Sequence, residues 1–424
     1  MRVPLHADRS SNTALTGALS VADGPGTALA PHARPGEPPA REAGRLGTSR
    51  VVLPLHQKRR SGRKYRHSLR EGARGVTTLE RFRDCGHTAV DGAGVVVRVT
   101  DTPDGRRGGF AGLATCGSVW ACPVCAAKIA AERAADLTEG LAVLTEKGYR
   151  VAMMTFTVRH RKGQALSAVW DAVSKGWARV TSGRAWKEDQ ARYQVPGWVR
   201  AVEVTHGRNG WHVHVHALVP FQGSELDVLA LGQSMWRRWE KGVIRAGFSA
   251  DGDAGGFHVA TASKGDDLGP LGHYLAKQGA HLDGLAQEAM LGAFKKAKGE
   301  NRTPFQVLES FLATGDCDDL DVWHEWERGS KGRRQITWSR GFRDLLGLGK
   351  ERDDQEVAEE ELGTADDGVV LLPGETWRAV RSWAWLLLDV VEEEGPDGLR
   401  RWLDRHGYAW SVPPVRSSEK SVSA

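Results

Sequence analysis

A chain of 424 residues, 40% hydrophobic and 26% charged, sets an expectation of two to four domains with buried cores. Its longest strongly apolar run, WAWLLLDVV at 383–391, is half of a membrane span and carries an Asp, so no membrane partner is expected. Net charge is only +5, but residues 1–80 hold 14 Lys+Arg against 6 Asp+Glu and residues 351–394 hold 3 against 14. A basic front and an acidic rear point to a polyanion partner at one end, although each segment taken alone also reads as a solvated stretch. No apolar leader core stands at the front. Five cysteines are too few for a disulfide framework, and the three within 116–125 suggest a reducing cytoplasm and a metal.

Residues 1–75 read as a disordered basic arm, rich in Gly, Ala, Pro and Arg, whose stretch HQKRRSGRKYRHSLREGARG (56–75) orders only on a partner. Lys58, Arg59, Arg60, Arg63 and Lys64 within it are candidate phosphate contacts. A small cysteine-rich unit and a helix fill 76–148, with GVVVRVT (94–100) as a strand and Ala130, Ala134, Leu137, Leu141 and Leu144 marking a helix over 126–147 that Gly148 stops.

An α+β sheet domain is expected over 149–348. Its strands are RVAMMTFTVRH (150–160), the hairpin WVRAVEVTH (198–206) and WHVHVHALVP (211–220), FHVATAS (257–263) and RRQITWS (333–339). Helices are predicted over 165–182, 226–245 and from 271, where LGHYLAKQ begins. Residues 349–424 read as an acidic linker near 350–367 followed by two closing helices, 374–394 and 399–407.

Side chains alternate along a strand, so His212, His214 and His216 project together while Val213, Val215 and Ala217 face a core. A turn centred on Arg208-Asn209 pairs Glu203 with His214, and one centred on Asn209-Gly210 pairs it with His216. Either register puts Glu203 on the histidine face; an odd-length loop turns it away. A carboxylate beside imidazoles is a divalent-metal site of mixed N/O character, suited to Mg²⁺ or Mn²⁺ acting on a phosphate and open to Zn²⁺. The competing reading is a surface or core histidine ladder.

Of five tyrosines, Tyr274 alone falls inside a predicted helix with a cation one turn onward, Lys277. A phenol becomes a nucleophile once its anion is stabilised, and a metal-bound phosphate and an ammonium both do that. Read alone, Tyr274 is a packing residue. Cys116, Cys122 and Cys125 form C-x5-C-x2-C; with Cys85 as the fourth ligand, or His87 in its place, they make a tetrahedral structural Zn²⁺ site. A redox Cys-x-x-Cys pair is the alternative. Cys317 stands alone in an acidic loop.

Taken in order, these pieces resemble the rolling-circle plasmid replication initiators, the actinobacterial type above all, within the HUH endonuclease superfamily named for the His-hydrophobic-His strand. MTFTVRH (154–160) resembles the first motif, GWHVHVHAL (210–218) the second and GHYLAKQ (272–278) the third. CG (85–86), CGSVWACPVC (116–125) and RRQITWSRGFRDLLGL (333–348) are similar to segments flanking the nuclease, so the likeness spans about 80–348.

The resemblance implies an antiparallel-sheet HUH nuclease that binds double- and single-stranded origin DNA, with Arg159 near its active site. It implies His214 and His216 as the metal pair preceded by His212, Glu203 as the third ligand, Tyr274 as nucleophile and Lys277 as its assistant. Nicking would leave a 5′-phosphotyrosine and a 3′-OH for host polymerase. Some relatives carry a glutamate just before the tyrosine to end the cycle; Gly272 and His273 stand there, leaving Asp266 or Asp267 as substitutes. Other classes consistent with the sequence are a non-catalytic DNA-binding regulator, a small-substrate metal hydrolase, and a relaxase or single-tyrosine transposase.

Overall fold

The computed structural model describes residues 55–90, 92, 94–103, 105–262, 301–364 and 367–413, with side chains from residue 62 onward. The described chain begins with α1 (Leu55–Arg74) and α2 (Glu80–Asp84), then the hairpin β1 (Val95–Thr102) and β2 (Gly105–Ala111) and the long α3 (Pro123–Glu146). Strand β3 (Arg150–Thr157) leads into α4 (Leu166–Val180) and α5 (Gly183–Arg192). The hairpin β4 (Val199–Gly207) and β5 (Gly210–Phe221), α6 (Glu225–Arg245) and β6 (Phe257–Ala262) follow. After Asn301 come α7 (Pro304–Thr314), α8 (Cys317–Ser330), β7 (Ile336–Trp338), α9 (Phe342–Leu345) and α10 (Asp354–Glu359). Strand β8 (Gly368–Leu372), α11 (Gly374–Val380) and α12 (Ala384–Arg405) complete it. Among the described residues no helix is long and apolar enough to cross a membrane.

The fold is α+β with two antiparallel sheets. The larger has strand order β6-β3-β5-β4-β7, and the smaller β2-β1-β8. One face of the larger sheet is largely apolar because Val213, Val215, Ala217 and Val219 of β5 alternate inward with Ala152, Met154 and Phe156 of β3. Helix α4 covers it with Leu166, Val169, Trp170, Val173, Trp177 and Val180, all buried at three- and four-residue steps. Helix α6 packs on α4 so closely that a Cβ on Gly242 would meet Gly176 Cα at 2.9 Å. Each large apolar side chain here contributes about 1.5–3 kcal/mol by leaving water.

The opposite face is divided. At one end Val151, Val199, Ala201, Leu218 and Ile336 pack under Leu137, Leu141 and Leu144 of α3. Beyond that cover the same face turns polar: His216 follows Leu218 by one side-chain repeat, then His214 and His212. Among the described residues α3 covers one end of this face and not the other, and the polar side chains gather at the second end.

Several expectations are corrected. The stretch 56–75, read as part of a disordered arm, is helical in α1, with Leu69, Arg70 and Ala73 buried. Its charge is neutralised from far along the chain: Arg63 pairs with Asp389 at 3.0 Å and Glu392 at 2.6 Å. The cysteine unit and the C-terminal segment, read as separate, share a sheet, since Val95 pairs with Leu372 and Val97 with Val370. The cysteine unit also shares its core with the large sheet, as Trp120 packs edge-on against Trp170 and Trp326. Cys317, placed in a loop, is the first residue of α8. The two closing helices are joined across a kink at Gly395 (φ +76) and Pro396 within α12.

Candidate functional site

The β4–β5 turn is centred on Arg208-Asn209, Gly207 pairs with Gly210, and Glu203 therefore stands directly opposite His214. Three atoms converge there. Glu203 Oε2 lies 3.0 Å from His216 Nε2 and 3.2 Å from His214 Nε2, and the two nitrogens are 3.0 Å apart. Burial alone would raise the Glu203 carboxyl, but the facing His214 and His216 rings outweigh it and hold the group well below the usual carboxylate range. Burial pushes the His214 imidazole below its ordinary value, against the opposing pull of Glu203.

Three lone pairs facing one point repel unless a cation is shared among them. Two ligands about 2.1 Å from an octahedral ion and at right angles to each other are about 3.0 Å apart. The three separations fit one face of such an octahedron, and the donor set is the mixed N/O kind that divalent ions take. His216 is also held from behind, its Nδ1 lying 3.1 Å from Thr155 Oγ1.

His212, expected as a further ligand, stands outside this group. It lies one side-chain repeat from His214 along β5, as His216 does on the other side, but opposite Thr205. The ring packs against His160 and His214, each at 5.0 Å, and burial pushes its pKa down to about 3.

The second cluster joins Cys85, Cys116, Cys122 and Cys125. Sulfur separations are 3.4 Å for Cys85–Cys125 and 3.7 Å for both Cys85–Cys122 and Cys116–Cys125. Bonded sulfurs would be about 2.05 Å apart, whereas four thiolates about 2.3 Å from a tetrahedral ion are about 3.8 Å apart. Cys85 and Cys116 are each followed by a glycine in the left-handed region, Gly86 (φ +60) and Gly117 (φ +61), as the tight turns demand. Cys122 caps α3 and Cys125 sits in its first turn, where the helix N-terminus favours thiolate. Hydrogen bonds from the other three cysteines hold the Cys85 thiol far below its ordinary range, with the Arg70 guanidinium adding to them against burial. His87, the alternative fourth ligand, stands outside this group.

The candidate phosphate contacts fare differently. Arg63 is taken up by Asp389 and Glu392, and Lys64 lies over the Trp385 ring at 4.7 Å, so the face of α1 that carries them is turned onto α12. Arg159 is exposed beside the site and reaches Asp251 at 3.2 Å. The side chains of Lys58, Arg59 and Arg60 lie outside the described residues, as do Tyr274, Lys277, Asp266 and Asp267. The segment with Tyr274 connects β6 at one edge of the large sheet to Arg302, whose backbone pairs with His206 on β4. Thr155 was not foreseen, because its contact depends on β3 pairing with β5 across about sixty residues.

A replication-protein family model matches residues 111–267, a span that includes three of the four cysteines and all three convergent residues of the sheet. Protein rep of Streptomyces lividans is 30% identical over 354 residues, covering 68% of this chain and 76% of that protein. A neomycin resistance protein of Streptomyces cyanogenus is 32% identical over 133 residues, 26% of this chain and 30% of its own. The chain therefore belongs to the replication-protein family, as a plasmid Rep of the actinobacterial type. No solved structure matches it.

Proposed function

We propose that this replication protein is a metal-dependent HUH endonuclease and strand transferase that nicks one strand of a plasmid's double-strand origin and rejoins ends in rolling-circle replication. The observation that carries the reading is the convergence of Glu203, His214 and His216 within 3.2 Å on the open half of the sheet face. These residues would hold Mg²⁺ or Mn²⁺, which when bound polarises a phosphodiester. Tyr274 Oη attacks the phosphorus and gives up its proton, with Lys277 offsetting the phenolate charge. The P–O3′ bond breaks, the 3′ oxygen takes a proton, and the 5′ end stays on Tyr274 as a phosphotyrosine. The free 3′-OH then primes host polymerase. Cys85, Cys116, Cys122 and Cys125 would hold a structural Zn²⁺, and Arg159 would contact DNA phosphate beside the site.

The test uses a supercoiled plasmid carrying a candidate origin. Wild type with Mn²⁺ nicks it and leaves a labelled 5′ adduct on a denaturing gel, whereas Tyr274→Phe binds the origin without cutting. Unimpaired nicking by that variant discards the nucleophile. Cleavage without an adduct favours a hydrolase, and binding without cleavage by wild type favours a regulator.

A further inference from the structure

Two histidines of one strand share one carboxylate, yet they are held differently. His216 stands directly opposite Thr155 on β3, and Thr155 Oγ1 lies 3.1 Å from its Nδ1. His214 stands opposite Thr157 in the same register, but its Nδ1 is buried without a hydrogen-bond partner among the described residues. With Nε2 of His216 taken as a metal ligand, 3.0 Å from both Glu203 and His214, the ring proton belongs on Nδ1, where Thr155 Oγ1 accepts it.

We propose that Thr155 is a positioning residue for His216, fixing its tautomer and ring orientation so that Nε2 faces Glu203 and His214. This rests on the reading of those three residues as a metal site. An imidazole rotates about two bonds and exists in two tautomers, and an acceptor behind Nδ1 removes both freedoms before an ion arrives. Thr155 is in the first sequence motif, MTFTVRH (154–160), of which the proposed reaction otherwise uses Arg159 alone.

The experiment measures Mn²⁺ affinity from the electron paramagnetic resonance of free Mn²⁺, on the full zinc-loaded chain without DNA. Thr155→Val is expected to weaken binding roughly 10–100-fold, the usual effect of losing such a partner. Thr155→Ser keeps wild-type affinity, Thr157→Val changes nothing, and Thr155→Val added to His216→Ala costs no more than His216→Ala alone. If Thr155→Val does not fold, the Ser and Ala variants at 155 isolate the hydroxyl. Wild-type affinity in Thr155→Val, alongside a weakened His216→Ala, overturns the positioning role and leaves the metal reading standing. Equal losses in the Ser and Ala variants also overturn it, since packing rather than the hydroxyl would then be at work. A His216→Ala protein that binds Mn²⁺ as wild type does overturns the metal reading, and the positioning role with it.

Discussion

The cysteine cluster and the histidine–carboxylate cluster are built in opposite ways. Cys122 and Cys125 are three residues apart at the start of α3, and the four sulfurs lie inside the core, against Leu69, Ala73 and Phe82. Glu203, His214 and His216 stand on two strands at the open end of a face and remain half-buried. Four soft donors in a closed, apolar shell suit an ion that stays. Three mixed donors with open coordination suit an ion that must meet a substrate. The difference is one of access as much as of ligand type.

The comparison breaks first at the cysteines. With the cluster holding zinc as proposed, Cys122→Ser is expected to lose that ion and with it on the order of 10 kcal/mol of folding free energy, giving an unfolded or insoluble product by circular dichroism; a soluble, cooperatively melting variant with full zinc content would make the cluster dispensable. Next comes Glu203→Gln, expected to lower Mn²⁺-dependent nicking on the order of 10³-fold, about 4 kcal/mol in the barrier, while zinc content and melting temperature stay near wild type. A large drop in melting temperature would show that both clusters are structural.

A smaller effect tests the tie between the two ends of the chain. Arg63→Ala leaves Asp389 and the buried Glu392 without that guanidinium, and denaturant unfolding should show a loss on the order of 3 kcal/mol. No change would mean that α1 contributes nothing to holding α12.

The smallest effect is acid sensitivity. Burial pushes His212 down to about 3 in the folded protein, below its unfolded value near ~6.5. Below that value the unfolded chain binds the extra proton, so the stability owed to neutral His212 is whole above pH ~6.5 and falls as pH drops toward the folded value. His212→Gln should flatten the slope of stability against pH in that window; an unchanged slope would mean that the ring is hydrated and titrates normally.

Much of the site was legible before any fold was known. The alternation in WHVHVHAL put His214 and His216 on one face because a strand repeats every two residues whatever surrounds it. Glu203 joined them in either two-residue register, since slips of an even number keep the face. The cysteine spacing grouped Cys116, Cys122 and Cys125 and left the fourth place between Cys85 and His87. Local periodicity also marked α4, α6 and the hairpin within one or two residues at each end.

What stayed hidden was everything set by contacts distant in sequence. Charge composition made 56–75 look unable to fold alone, and the partners of that helix, Asp389 and Glu392 among them, lie more than two hundred residues on or in the cysteine unit. The pairing of β1 with β8 and the seating of Trp120 against Trp326 likewise joined units that composition had separated. His212 has the same local pattern as its neighbours, and only the structure shows its ring packed against His160 and outside the convergent group. Periodicity is a property of neighbouring residues and survives any context, so the amino-acid order alone determined which side chains share a face. Which half of that face α3 covers, and which threonine stands behind His216, depends on strands and helices meeting across the chain, and only the tertiary structure decided it.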